Sequence, residues 1–384
     1  MNRLSFNEWA SGRPADGAGA GVDPVVAQLR GVHRAAAELR RGTPVLLAGT
    51  APLVVLAAET AGGGLREFGR LAGPNPVMLL APVRAAAVVH RPMQQVEPVA
   101  LRLSPALFAP EILLALADPT AEQIFPETPE SVAAPALGGA ALALAKLARL
   151  LPAVLAAPTV AGAEDVAAGL GLLSVPAQDV LDYPAGAAAG LRQVAEASVP
   201  LEDAAEARIV AFRTADAAIE HLAIVIGDPA TAASPLVRIH SECFTGDLLG
   251  SLRCDCGSQL RGAIQRMAAE GSGVLLYLAQ EGRGIGLVNK LRAYALQDRG
   301  LDTLDANRAL GWGADERSFL IAATMLQTLG VTRVRLLTNN PDKLAALAAC
   351  GISVAGRESH IFAANGVNDK YLATKAARFG HLLG

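Results

Sequence analysis

Three of the chain's four cysteines, Cys243, Cys254 and Cys256, fall inside residues 238–259 with the spacing C-x10-C-x-C. Thiolates suit Zn²⁺, which takes four tetrahedral sulfur or nitrogen ligands; three protein ligands keep the fourth position for water, the layout of a catalytic site. Two plainer readings stay open. Small cysteines can cluster as ordinary buried residues, or a fourth ligand such as His240 can close a purely structural site. A chance cluster does not explain why Arg238, Glu242, Arg253 and Asp255 are threaded through the same stretch.

The elements around these cysteines can be read from apolar patterning. Ala207–Phe212 and His221–Ile226 are apolar runs suited to a hairpin, and the turn-rich Gly227–Pro235 follows. Gly273–Tyr277 is a strand leading into the glycine-rich Gln280–Gly286. Val334–Thr338 is another strand, running into Asn339–Lys343 and an apolar helix over Leu344–Cys350, where Cys350 fits a core thiol. In the first half a helical spacing covers Asp23–Arg41, and Pro44–Leu47, Leu53–Ala57 and Pro76–Leu80 have the character of buried strands. A helix over Gly64–Leu71, another over Gly139–Leu151 and a strand at Ala153–Leu155 continue the alternation, which makes this half α/β. Gly, Ala and Pro between Pro184 and Pro200 break the pattern and mark a junction.

At 384 residues the chain is long enough for two domains. The boundaries expected are a flexible N-terminus at 1–22, a first domain at 23–196 and a second at 197–384. Residues 1–22 lack the basic start and apolar core of a signal peptide. No uninterrupted apolar run reaches the roughly 20 residues of a membrane span. Together with thiols in a metal-like spacing this implies a cytoplasmic protein without a membrane partner. The formal net charge of −3 and the balance of acids and bases beyond Pro200 give no basic excess for nucleic acid. Lys146 is the lone lysine of the first half, a feature to which composition attaches no function.

Seven ordered motifs carry a resemblance. Arg238-Ile-His-Ser-Glu-Cys243, Ser251-Leu-Arg-Cys-Asp-Cys-Gly257, Gln280-Glu-Gly-Arg-Gly-Ile-Gly286, Lys290-Leu-Arg-Ala-Tyr-Ala-Leu-Gln-Asp298, Asp315-Glu-Arg317, Leu336-Leu-Thr-Asn-Asn-Pro341 and Gly380-His-Leu-Leu383 resemble GTP cyclohydrolase II over roughly residues 205–383. That family opens the guanine imidazole ring in the first step of riboflavin synthesis. The resemblance implies a mixed sheet with helices, an α/β (α+β) chain overall, a homodimer, and conversion of GTP to formate, diphosphate and 2,5-diamino-6-ribosylamino-pyrimidinone 5'-phosphate. It implies one Zn²⁺ per chain on Cys243, Cys254 and Cys256, and Mg²⁺ carried with the substrate. Ala279 stands where the family often has Arg, and Arg357–Phe362 departs from the family's apolar-Pro segment.

Residue roles follow by matching positions. Asp315 is the implied proton acceptor and Tyr294 an orienting or relay group. Arg317 is either a nucleophile at the α-phosphorus or a clamp on its oxygens; a guanidinium stays protonated below about pH 12, which weighs against the first. The implied substrate contacts are Arg238, Ile239, His240, Ser241, Glu242, Gln259, Glu281, Gly282, Arg283, Thr303, Thr338 and Lys343. Glu281 could accept from both guanine N1–H and the exocyclic amine. Thr338 and Lys343 lie at a strand end beside a helix start, which favours phosphate.

In the first half Ala36-Ala-Glu-Leu-Arg-Arg-Gly-Thr-Pro-Val45, Val54-Val-Leu-Ala-Ala-Glu59, Leu114-Ala-Leu-Ala-Asp-Pro119 and Leu147-Ala-Arg-Leu150 fall, in order, where similar segments stand in dihydroxybutanone phosphate synthase, which this half resembles. Ala48-Gly-Thr-Ala-Pro52 stands where that family keeps an acidic Mg²⁺ cluster, and Gly139-Ala-Ala-Leu142 replaces Gly-His-Thr-Glu. Without oxygen ligands or an acid/base pair, the half is expected to be a degenerate, inactive relative. Two rivals concern the second half: a paralogue opening another nucleotide's ring, or a zinc- and nucleotide-binding regulator without catalysis. The intact Asp315, Tyr294 and Arg317 speak against the regulator.

Overall fold

The computed structural model describes residues 23–217 and 219–382; the lead-in expected over 1–22 lies outside them. Among the described residues two seven-stranded sheets organise the chain. The first holds β1 (Val45–Ala48), β2 (Leu53–Ala57), β3 (Val77–Leu80), β4 (Val99–Arg102), β5 (Ser131–Val132), β6 (Ala153–Pro158) and β7 (Leu173–Pro176), in the order β5-β4-β3-β6-β2-β1-β7. Alternate residues point to opposite faces of a strand. Val54 and Leu56 of β2 therefore enter one core and Leu53, Val55 and Ala57 the other. Burial on both sides explains why these strands look like unbroken apolar runs.

The second sheet holds β8 (Arg192–Ser198), β9 (Arg208–Arg213), β10 (Glu220–Ile226), β11 (Leu236–Ser241), β12 (Gly273–Leu278), β13 (Arg333–Leu337) and β14 (Ser353–Glu358). Its order is β14-β13-β11-β12-β10-β9-β8. β9 and β10 form the expected antiparallel hairpin, with Phe212 opposite His221. β12, β11, β13 and β14 run parallel to one another. Helix Cys256–Glu270 covers one face of this sheet and helix Phe319–Thr328 the other.

Two local expectations are corrected. Residues 184–200 do not break the structure: helix Ala177–Ala189 runs through Pro184, and β8 then joins the second sheet. All seven β8 residues are exposed, so the strand has no apolar alternation to betray it and is held by its ladder with β9. The helix expected to reach Leu151 spans Gly138–Leu147. It closes with Arg149 N donating to the Lys146 carbonyl and Leu150 N to that of Ala145, the Schellman pattern, with Arg149 left-handed at φ 57° where glycine is usual.

The halves share a core. Ile285, Ala293, Leu296, Ala306, Leu310 and Trp312 pack into the cluster built on Leu56, Phe68 and Leu155 of the first half. No described helix is long and apolar enough to cross a membrane.

Candidate functional site

Three neighbouring parallel strands deliver the site. β11 ends at Ser241 and the chain continues to Cys243; β12 leads into Glu281–Gly284; β13 leads into Thr338. The crevice beyond the carboxyl ends of parallel strands is where open α/β sheets bind ligands.

Cys243 accepts from Gly246 N at the start of the helical turn Phe244–Leu248, and Cys254 and Cys256 enter helix Cys256–Glu270. The three sulfurs lie within 4.8 Å of one another, and no His, Asp or Glu joins the group among the described residues. Cys243 Sγ and Cys254 Sγ are 3.9 Å apart; tetrahedral Zn–S bonds of about 2.3 Å would put sulfurs about 3.8 Å apart. Gly246 makes the room. A Cβ there would come within 2.7 Å of Cys254 Sγ and 3.0 Å of Cys243 Sγ. The donor set and its spacing fit a zinc ion with an open position.

His240 does not close the set. Its Nε2 lies 3.1 Å from Asp247 Oδ2 while its ring stacks on Tyr277. The same carboxylate oxygen accepts from Cys243 N at 2.9 Å and Tyr277 Oη at 3.0 Å. Burial pushes the His240 imidazole below its ordinary value, so it sits there neutral. Among the thiols, Cys243 is held far below the usual range by hydrogen bonds from Cys254 and Cys256, then by Lys290. Cys254 is pushed up to about 11, chiefly through its bond to Cys243.

The predicted residues converge. Arg238, Ile239, His240, Ser241, Glu242 and Gln259 line one cavity with the cysteines. Glu281, Gly282, Arg283, Tyr294, Thr303, Arg317, Thr338 and Lys343 line it too. Asp315 stands just behind, gripped by Arg317, whose Nε donates to Oδ1 at 2.7 Å and whose Nη2 bonds Oδ2. Burial would raise the Asp315 carboxyl, but the hydrogen bonds and charge of Arg317 more than offset it and hold it below its usual value. Burial raises Tyr294, keeping its phenol protonated.

Cations line the same cavity. Arg238 is buried, donates through Nη1 to the Leu337 carbonyl and through Nη2 to Gln259, and leaves Nε without a partner; burial brings it down to about 10. Arg283 stacks 3.9 Å from the centre of the Phe379 ring with a buried Nη1 unpartnered. Lys343 is buried in the first turn of helix Asp342–Ala349, its Nζ donating to the Ile239 carbonyl, and burial followed by Arg317 and Arg238 pushes it well below its ordinary value. Cations crowded together with idle donors want an anion. Glu281 is differently placed: its carboxylate accepts from Phe244 N at 2.7 Å, Gly282 N at 2.9 Å and Lys290 Nζ at 2.8 Å.

Sequence reasoning missed several groups. Lys290 lines the cavity, and it sits four residues before Tyr294 on helix Leu287–Asp298, a spacing that puts both on one face. Asp247, four residues after Cys243, had no role assigned. Tyr371, Lys375 and His381 come from the C-terminal segment, whose helix Asp369–Phe379 brings Lys375 within 2.6 Å of Asp255, between Cys254 and Cys256. That long-range return has no local signal.

The sequence model of the family described as GTP cyclohydrolase II matches residues 192–359. A GTP cyclohydrolase-2 from Azospirillum brasilense is 51% identical over 368 residues, 93% of this chain and 94% of its own. The chain belongs to the GTP cyclohydrolase II family. It is thereby a hydrolase by class. An Enterobacter GTP cyclohydrolase-2 is 52% identical over 193 residues, which cover 50% of this chain and 98% of the relative. A solved two-domain 3,4-dihydroxy-2-butanone 4-phosphate synthase from A. baumannii aligns over 85% of this chain and 98% of its own at 17% identity with a TM-score of 0.34.

Proposed function

We propose that the second half is a zinc-dependent GTP cyclohydrolase II that converts GTP and water to formate, diphosphate and 2,5-diamino-6-ribosylamino-pyrimidinone 5'-phosphate. The observation that carries the reading is the juxtaposition, in one cavity, of three convergent thiols and a set of buried cations. A zinc ion on Cys243, Cys254 and Cys256 would supply a Lewis acid and acidify water. Such a centre suits attack at guanine C8, the carbon that leaves as formate.

The protein groups divide the remaining work. Arg238, Arg283, Arg317 and Lys343 would hold the triphosphate, with Mg²⁺ carried on its oxygens. In the free site Asp315 is a weak base because Arg317 grips both its oxygens. A phosphoryl group would compete for that guanidinium, and drawing it away would restore the basicity of Asp315 when substrate is present. Arg317 then serves as the clamp at the α-phosphorus, a role that needs no deprotonation. Tyr294, protonated, can donate to or orient the reacting water.

The first half is read as catalytically inactive. Ala140, Ala141 and Leu142 are buried among apolar neighbours, where they offer neither an acid nor a metal ligand. A homodimer in the cytoplasm completes the reading; the exposed Leu248, Leu249 and Leu252 on one loop are the kind of apolar surface a second copy would cover.

The test is release of formate and diphosphate from GTP by zinc-loaded protein with Mg²⁺, beside a Cys254→Ser variant and a panel of other nucleotides. Both products from GTP, abolished by the substitution, are expected. No turnover of GTP by protein that retains zinc would overturn the assignment.

A further inference from the structure

The first half reaches the site's loops through one helix end. Lys146, the lone lysine of residues 1–196, places Nζ 2.5 Å from Glu316 Oε1 and 5.6 Å from the centre of the Trp312 ring. Glu316 lies between Asp315 and Arg317. Its Oε1 also accepts from Gly313 N at 2.7 Å, and its own N donates to the Arg283 carbonyl at 3.1 Å. Three residues on, Arg149 Nη2 donates to the Ala279 carbonyl at 2.8 Å, at the entry to Glu281–Arg283. Its side chain also lies against Gly286 at the exit of that turn, where an added Cβ would come within 3.3 Å of it, and Asn289 Nδ2 donates back to the Arg149 carbonyl at 3.0 Å.

Arg149 occupies a left-handed position at φ 57°. A non-glycine residue is strained there and persists only where its surroundings hold it. Glycine would close the helix with less strain, so the side chain is what arginine adds. The Lys146–Glu316 pair is part-exposed, with 31% and 25% of the side chains accessible. Pairs of that kind contribute little to folding. Stability is therefore a poor account of either residue.

We propose that the end of helix Gly138–Leu147 positions the hydrolytic site: Lys146 through Glu316, and Arg149 through the Ala279 carbonyl, hold the loops carrying Asp315–Arg317 and Glu281–Arg283. The otherwise inactive first half is then a positioning domain for its neighbour. The catalytic consequence rests on the GTP-hydrolysing reading; the structural one rests on these contacts alone.

Both are tested in the full-length, zinc-loaded protein with Lys146→Met, Lys146→Arg and Arg149→Gly, by hydrogen exchange and by kcat and KM for GTP. Lys146→Met is expected to speed exchange over 313–317 and lower kcat about tenfold, more than it raises KM, since small misplacements near reacting groups cost that much or more. Lys146→Arg, which keeps the charge, restores both. Arg149→Gly relieves the backbone yet speeds exchange over 279–286 and lowers kcat. Wild-type exchange in Lys146→Met and Arg149→Gly overturns the proposal, as does a kcat loss that merely follows the folded fraction. Should the wild type release no formate from GTP, the functional reading fails and hydrogen exchange alone decides this one.

Discussion

Lys290 Nζ lies 3.0 Å from Cys243 Sγ and 2.8 Å from Glu281 Oε1, joining a metal-ligand candidate to the turn after β12. An ammonium donating to a thiolate draws charge from the sulfur, so a metal held there would keep more of its Lewis acidity. It also fixes the direction of the sulfur. Groups that hold ligands in this way typically cost about 10–100-fold in metal affinity or activity when removed. Lys290→Met is therefore expected to weaken zinc binding by that order in a competitive chelator titration, with the fold intact by circular dichroism. Zinc affinity equal to wild type would remove Lys290 from the metal's support.

The Asp315–Arg317 pair has a pH signature in stability. Asp315 is held below its ordinary value in the fold. A depressed carboxyl contributes stability that is present above the unfolded-state pKa of about 4 and is lost as pH falls through the folded value. Arg317→Met removes the offsetting charge and leaves burial, which raises the carboxyl and reverses the sign. The stability gap between wild type and Arg317→Met should be widest near neutrality and close as the pH falls below about 4. Urea unfolding at both pH values measures it, with Asp315→Asn as a background on which the gap should no longer depend on pH. A pH-independent gap in the Asp315 background would mean that the pair is only a surface contact.

Much of the site is legible in the chain because its parts are local. The cysteine spacing, the glycine-rich turn and the Asp315–Arg317 spacing each sit within a few residues, and three parallel strands bring them together. What stayed hidden depends on distance or on the absence of a side-chain pattern. Lys375 reaches Asp255 across 120 residues, and Lys146 reaches Glu316 across 170. β8 exists through backbone pairing alone. Arg149 ends its helix in a conformation that glycine would advertise and arginine conceals.

The join between the halves makes a prediction about cooperativity. Arg292 donates to Glu59 Oε1 at 2.9 Å and to Asp118 Oδ2 at 2.8 Å, both in the first half, and to Asn289 Oδ1 at 2.9 Å beside it. The side chains of Arg292, Glu59 and Asp118 retain only 17%, 15% and 9% of their accessibility. Removing one partner of so shielded a network leaves charges without compensation, a loss of about 3–5 kcal/mol for a fully buried pair and somewhat less here. The apolar side chains of Ile285, Leu310 and Trp312 lie in the first half's core, so the network and that core fail together. With Trp9→Phe as the common background, so that Trp312 is the one tryptophan, the otherwise unaltered protein should unfold in one urea transition reported alike by fluorescence and far-ultraviolet circular dichroism. In Arg292→Ala the midpoint should fall with the two signals still coincident. If the fluorescence change instead separates from the circular dichroism with Arg292 in place, the halves unfold independently and the shared core does not couple them.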